Sequence, residues 1–248
     1  MKKLLITIAV LLRLGAASQL QAQVDPHFSQ YYAYPMWLNP ALTGVINGDL
    51  RVNANFKNQW ATINNAYKTG AISVDMRPTE KIGVGLNIIN QAAGDAGYNY
   101  FAAYGSFGYA IAVSNDGNKK LSFGVQAGVI NRSFDMNRAQ FGNQYDPSSG
   151  YNPNLPNFEN FDGTNALVFD SSAGIFYYDG DPSSNANLFA GVSVAHLNRA
   201  RDPFATPGSN NKMGMRYNIH AWQDAAELLG SRPLQIPLLH NMLLSPWQ

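Results

Sequence analysis

Apolar residues alternate with small or polar residues along several stretches of the chain. In residues 81–91 one face carries the apolar side chains Ile82, Val84, Leu86 and Ile88. Residues 121–129 and 188–194 repeat the pattern, with Ser, Gly or Gln at many of the positions between. A period of two predicts β-strands that have one apolar face and one small or polar face.

Five further stretches show a weaker form of the alternation: residues 49–59, 69–76, 98–113, 165–178 and 213–221. Turn residues separate these stretches, most clearly Asp116-Gly117, a pair that tolerates the positive φ of a tight hairpin, and residues 179–182. Residues 143–163 are polar and contain several prolines, which predicts an extended loop over a rim. The chain is therefore predicted to form about eight antiparallel strands.

The alternation is compatible with a membrane barrel and with a soluble protein. Many of the stretches have the ~9–11 residues that a tilted strand needs to span a bilayer. Aromatic residues near strand ends would suit the girdles of a transmembrane barrel: Tyr98, Tyr100, Tyr109, Tyr177 and Tyr178. A soluble β-sandwich or a lipocalin-like barrel would show the same period, so periodicity alone leaves both open.

Composition and charge narrow the range of functions. Charged residues make up 13% of the chain, about half of the ~25% that is usual in soluble domains. Without residues 1–22 the chain has 14 basic and 16 acidic residues, a net charge of −2. We therefore expect no nucleic-acid partner that depends on a strong positive field. The absence of cysteine excludes disulfides, thiol catalysis, Cys-based zinc sites and a lipoprotein anchor.

The two ends of the chain differ from its body. Residues 1–22 have the features of a secretory signal peptide, with Lys2 and Lys3 before an apolar stretch and Ala22 before the cleavage site. Residues 222–248 contain 7 Leu, 3 Pro and a single Gly, whereas residues 23–221 contain 9 Leu and 20 Gly. We interpret this tail as a frameshifted or misassembled end; a short helix over residues 223–229 is the alternative.

No catalytic constellation stands out, and we predict neither an enzyme nor a cofactor or metal site. The four histidines are scattered without metal-ligand spacing: His27, His196, His220 and His240. His196 follows an apolar strand and is interpreted as a girdle or capping residue. Ser193 lies within a strand pattern and not at a strand-to-helix turn, so it is interpreted as a small inward-facing serine.

The mature N-terminus is dense in aromatic residues and prolines. Six side chains of this stretch favour burial, namely Phe28, Tyr31, Tyr32, Tyr34, Trp37 and Leu38. The Asn39-Pro40 pair would end any helical turn because the residue before proline avoids the α region. A segment lying inside the following barrel, or across one of its mouths, would satisfy both demands. An apolar edge that packs on a soluble sandwich is the alternative.

This N-terminal stretch resembles the start of the PorP/SprF family of type IX secretion system outer-membrane proteins. The matching residues are Asp25, Pro26, Phe28, Ser29, Gln30 and Tyr31, followed by Leu38, Asn39, Pro40, Ala41 and Gly44. Weaker similarities follow at residues 58–60, 121–128, 191–197 and 217–221.

The resemblance implies an antiparallel transmembrane β-barrel of the Bacteroidetes outer membrane, without catalytic activity. It also implies partners among type IX secretion or gliding-motility proteins, in the periplasm or at the surface, besides outer-membrane lipid. The matching residues of 25–44, apart from Ala41, are the candidate partner or plug segment. A general porin and a soluble secreted protein that binds carbohydrate are the alternatives.

The predicted organisation has four parts. A signal peptide (1–22) precedes an aromatic and Pro-rich segment (23–48), the barrel strands (49–221) and the atypical tail (222–248). If the tail is an artefact, the barrel lacks its last strands and is incomplete at its C-terminal side.

Overall fold

The computed structural model describes residues 25–225, except 64, 137, 157, 159–163, 182–183, 185 and 201–211. The predicted signal peptide and the predicted tail from residue 226 onward lie outside these residues. Residues 222–225, which begin the predicted tail, belong to the last described strand.

Eight long strands form one antiparallel sheet. They are β1 (Leu50–Gln59), β2 (Tyr67–Met76), β3 (Ile82–Ala93), β4 (Tyr98–Ala112), β5 (Lys119–Ser133), β8 (Asn165–Asp179), β9 (Ala186–Ala195) and β10 (Arg216–Ala225). Each strand pairs with its neighbour in this order, so the sheet is an up-and-down meander. The alternation of apolar and polar residues therefore located all eight strands to within a few residues.

The sheet is a half-barrel, which confirms the predicted antiparallel and incomplete barrel architecture. Within the described part of the chain, β1 and β10 are its two edge strands and neither pairs with a further strand. None of the helices among the described residues has the length and apolar character needed to cross a membrane.

The two faces of the sheet have the reverse polarity of a soluble protein. On the outer face, Leu86 is 65% exposed, and Phe107 and Val125 are also exposed in mid-strand. On the inner face, Asn87 is 1% exposed, and Asp75 and Asp170 are buried to a similar extent. Apolar side chains thus cover the outside of the sheet, and the inside carries many small or polar side chains beside a few buried aromatic and aliphatic ones.

Three short helical turns precede β1. They are a 3₁₀ turn (Tyr31–Ala33), the one-turn helix α1 (Pro35–Leu38) and a second 3₁₀ turn (Pro40–Leu42). Proline opens the last two, a position where its missing N–H costs no hydrogen bond. As the Asn39-Pro40 pair predicts, α1 ends at Leu38 and Asn39 is extended.

The connection between β5 and β8 is more ordered than the predicted extended loop. It contains a 3₁₀ turn (Gly142–Gln144) and a small hairpin of β6 (Tyr145–Asp146) with β7 (Gly150–Tyr151). The Asp146 carboxylate accepts hydrogen bonds from the backbone N–H groups of Ser148 and Ser149, at 2.7 and 3.1 Å. This local turn bonding closes the hairpin without an apolar sequence pattern.

Candidate functional site

Residues 25–44, called here the inner segment, lie against the inner face of the sheet. Phe28 and Tyr34 are buried in an apolar cluster with Ile89, Tyr100 and other residues of the inner face. The Tyr34 hydroxyl donates to the backbone oxygens of Ile72 and Ile88, at 3.2 and 3.0 Å. A second cluster joins Ala41 and Leu42 to Phe176. The core of the described protein is thus the contact between this segment and the sheet.

A row of four glycines crosses the sheet beneath the inner segment. The strand register aligns Gly83, Gly108, Gly124 and Gly174 on neighbouring strands β3, β4, β5 and β8. A methyl group on any of the four would overlap with atoms of residues 39–44. We call these residues the glycine row; the absence of Cβ atoms lets the segment's backbone approach the sheet's backbone.

The glycine row continues into two polar residues that hold the segment. Ser193 pairs with Gly174, and Asn218 pairs with Ser193. The Ser193 hydroxyl and the Asn218 amide both donate to the backbone oxygen of Leu38, at 2.7 and 2.9 Å. Ser193 is buried and directed inward, which confirms its interpretation as an inward-facing serine.

Asn39 uses its side chain in three hydrogen bonds. Its amide nitrogen donates to the backbone oxygens of Ile175 and Val192, at 3.1 and 3.3 Å. Its amide oxygen accepts from the backbone N–H of Ala41 at 2.9 Å and so caps the second 3₁₀ turn. Asn39 therefore connects the local conformation of the segment to strands β8 and β9.

An ion pair between Arg51 and Asp75 fixes the end of the segment. The Arg51 guanidinium binds the Asp75 carboxylate in a bidentate manner, at 2.9 and 2.8 Å. The carboxylate also accepts from the backbone N–H of Gly44 at 2.9 Å, and Arg51 donates to the backbone oxygen of Leu42 at 3.0 Å. We call this arrangement the Arg51 clamp.

A buried network fixes the start of the segment through Asp25. One carboxylate oxygen of Asp25 accepts from Arg216 at 2.6 Å and lies 2.8 Å from His196 Nε2. The other accepts from the Tyr100 hydroxyl at 3.1 Å. His196 Nδ1 lies 3.0 Å from the carboxylate of Asp170. We call these five residues the Asp25 cluster.

The charges of the Asp25 cluster balance. Burial alone would raise the pKa of Asp25, but Arg216 and His196 outweigh this effect and hold the pKa well below its usual range. Burial alone would lower the pKa of His196, but the Asp25 charge and the hydrogen bonds to both carboxylates raise it to about 9. Two carboxylates therefore face an imidazolium and a guanidinium at neutral pH.

The geometry of the cluster suits a structural role. Both ring nitrogens of His196 face carboxylate oxygens, so both donate protons and neither is free to act as a base. The two aspartates approach opposite sides of the ring and do not converge on one point. Among the described residues there is no group of three or more His, Cys, Asp or Glu side chains that could hold a metal ion.

The interpretation of His196 as a girdle or capping residue is wrong. Its backbone is left-handed, with a φ of 59°, directly after β9 ends at Ala195. The side chain is buried and bonded to both aspartates, and does not lie at the rim of an outer surface. The period of the strand could not reveal this, because the residue lies where the strand ends.

The structure divides the candidate segment residues into two groups. Buried or partly buried are Asp25, Pro26, Phe28, Tyr31, Leu38, Asn39, Pro40 and Gly44, whereas Ser29 and Gln30 are exposed. Sequence reasoning missed the residues that receive the segment, namely the glycine row, Arg51, Asp75, Asp170, His196, Arg216 and Asn218. All of them except His196, which follows the end of β9, occupy the small or polar positions of a strand's alternation, and this was the sequence signal that could have found them.

One comparison with known proteins identifies the family of the chain. A family model described as "Type IX secretion system membrane protein PorP/SprF" matches residues 20–225. The chain belongs to the PorP/SprF family. The match covers the inner segment and all eight strands, so both are parts of one family unit. No curated protein and no solved structure matches the chain.

We expect Gly124→Ala to displace the inner segment of this PorP/SprF protein, because the added methyl group overlaps with the backbone of Pro40 and Ala41. Overpacking of this kind costs about 1–3 kcal/mol. Urea unfolding would show the lower free energy of unfolding, and limited chymotrypsin digestion would show faster cleavage within residues 28–38. Gly70→Ala is the control, since a methyl group there meets nothing within 4 Å. Equal behaviour of the two variants would contradict the close contact.

The Asp25 cluster predicts that stability falls as pH rises from about 6.5 to about 9. The pKa of His196 is raised from 6.5 to about 9 in the folded state, so its stabilisation is complete below 6.5 and lost as pH passes 9. The loss is on the order of 3 kcal/mol. The lowered pKa of Asp25 has the opposite effect on the pH dependence of stability. The stabilisation by the Asp25 carboxylate is present above pH 3.8 and is lost on acidification below that pH.

Thermal unfolding in detergent between pH 6 and pH 10 measures this dependence. Asp25→Asn removes the negative charge nearest His196, so we expect a lower Tm at pH 7 and a smaller change between pH 6.5 and 9. Asp49→Asn removes the same charge from an exposed position and should leave the profile unchanged. A profile that is the same for Asp25→Asn and the wild type would refute the assignment.

Proposed function

We propose that this type IX secretion system membrane protein is a non-catalytic outer-membrane component that links secretion or gliding partners to the membrane. Family membership supports a role in type IX secretion. The observation that carries the proposal is the combination of an apolar outer face with an inner face covered by the inner segment. The signal peptide predicted over residues 1–22 would export the chain.

Contact with lipid explains the polarity of the sheet. Exposed apolar side chains in mid-strand are costly in water but favourable in hydrocarbon, and Leu86, Phe107 and Val125 lie at such positions. Several buried polar residues of the inner face, among them Ser193 and Asn218, find partners in the inner segment instead of water. This distribution favours a membrane protein over the soluble carbohydrate-binding alternative.

The inner segment argues against a general porin. A porin needs an open aqueous lumen lined by polar side chains. Here residues 39–44 lie on the glycine row, and the Asp25 cluster and the Arg51 clamp hold both ends of the segment. We infer that the segment closes the interior to free diffusion.

One stretch of the inner segment remains available to partners. Ser29 and Gln30 are exposed, and Tyr32 is 47% exposed, contrary to its predicted burial, whereas Phe28 and Tyr34 on either side are buried. This stretch joins residues fixed by the sheet, so a partner that binds it would be held to the barrel. We infer that it is the part of the segment that contacts other secretion or gliding proteins.

The connections at the two rims differ in length. The β2–β3 and β4–β5 turns hold 5 and 6 residues. The opposite rim carries the long connections 134–164 and 196–215 beside the 4-residue β3–β4 turn. Outer-membrane barrels have short periplasmic turns and longer outer loops. We therefore infer that the rim with the long connections faces the cell exterior.

We expect Leu86→Arg to lower the free energy of unfolding from lipid vesicles by about 2–4 kcal/mol, the cost of a cation on a lipid-facing strand near the bilayer centre. Asn115→Arg, in the exposed β4–β5 turn, should change it by less than about 0.5 kcal/mol. Urea titration of both variants refolded into vesicles measures the difference. Equal small effects would show that the outer face does not meet lipid.

A photo-crosslinking residue at Gln30 tests the proposed linking role. In cells with an intact type IX system we expect it to form an adduct with another secretion or gliding protein, identified by mass spectrometry. The same residue at Asn115, exposed at the opposite rim, should not give that adduct. The absence of any type IX or gliding protein from the Gln30 adducts would reject the exposed stretch as the partner contact.

A further inference from the structure

A cavity of about 490 Å³ opens at the rim with the long connections. It lies between the first residues of the inner segment and the rim ends of β1 to β5. Its lining includes Lys57, Gln59, Trp60, Tyr67, Gln91 and Tyr98. The volume is within the range of small-molecule sites in proteins, roughly 300–1,000 Å³.

The charge of the cavity favours an anionic ligand. Lys57 carries an ammonium group that donates to the backbone oxygen of His27 at 3.0 Å, which leaves two of its three protons for a ligand. Among the described residues of the lining, the one carboxylate belongs to Asp25, and it already accepts hydrogen bonds from Tyr100, His196 and Arg216. The carboxylate of Asp25 therefore does not offset the charge of Lys57.

The walls of the cavity combine aromatic faces with amide groups. Trp60 is 59% exposed and packs edge to face against Tyr67, with ring centroids 5.4 Å apart. Trp60 also has a left-handed backbone, with a φ of 60°, a conformation that is costly for a bulky residue and that clusters at binding sites. The amides of Gln59 and Gln91 add groups that can both donate and accept hydrogen bonds.

These features together match one class of ligand. A pyranose ring has an apolar C–H face that stacks on aromatic rings and hydroxyls that bond to amides. A uronic acid adds a carboxylate, which forms a charge-assisted hydrogen bond with an ammonium group. We propose that this cavity binds an acidic sugar, with its carboxylate on Lys57 and its ring against Trp60 and Tyr67. The proposal goes beyond the secretion role and does not depend on it.

Calorimetric titration of the full chain in lipid nanodiscs with digalacturonate, a uronic acid disaccharide, tests the assignment. We expect binding that weakens with added salt, and no binding of the matching neutral disaccharide. Lys57→Gln should weaken binding about tenfold, the effect of losing one charge-assisted hydrogen bond. Lys81→Gln, which removes an exposed charge at the opposite rim, should leave the affinity unchanged.

The Trp60→Leu variant separates the contribution of ring stacking to binding from the contribution of the Lys57 charge. It should weaken digalacturonate binding while the salt dependence persists, and an unchanged thermal unfolding curve would show that the variant folds. An acidic tripeptide serves as the second ligand. The proposal would be overturned if the protein bound the tripeptide or the neutral disaccharide as tightly as digalacturonate. It would also be overturned if Lys57→Gln bound digalacturonate as tightly as the wild type, or if the wild type did not bind it at all.

Discussion

The close approach of two backbones, residues 39–44 and the glycine row, is the constraint on which the rest of the structure depends. Side chains at Gly83, Gly108, Gly124 or Gly174 would lift the segment from the sheet. The hydrogen bonds from Ser193 and Asn218 to Leu38, and from Asn39 to β8 and β9, need this short separation. Four strands contribute one glycine each, so the strand register is fixed by the same contact.

The polarity of the inner face follows from the irregular backbone of the segment. Short helical turns leave many carbonyl groups without partners, and buried carbonyls need donors. Asn55, Lys57 and Arg51 donate to the carbonyls of Ala33, His27 and Leu42, respectively. Non-helical backbone is tolerated at membrane depth only when protein surrounds it. The polar inner face and the apolar outer face therefore both result from enclosing an irregular segment within a sheet that lies in a membrane.

Much of the fold could be predicted from the sequence, because strand geometry has a period of two that is local. The eight strands, the Asp116-Gly117 hairpin and the end of α1 before Pro40 all followed from neighbouring residues. The N-terminal motif indicated the family. Its aromatic side chains are more stable when buried, which indicated that the motif contacts the sheet. The small hairpin at residues 145–151 was missed, since it depends on Asp146 bonding to its own turn and not on an apolar pattern.

The sequence by itself determined the strands, the turns and the segment that needed a surface to cover it, because each depends on residues close together in the chain. Tertiary structure alone decided which residues receive that segment. Asp25 meets His196 and Arg216 across 171 and 191 positions, and the glycine row exists only once β3, β4, β5 and β8 are in register. A glycine within a strand, or a histidine just after a strand, looks ordinary in the sequence. Their roles arise because strand pairing brings together backbone atoms and charged groups that are far apart in the chain.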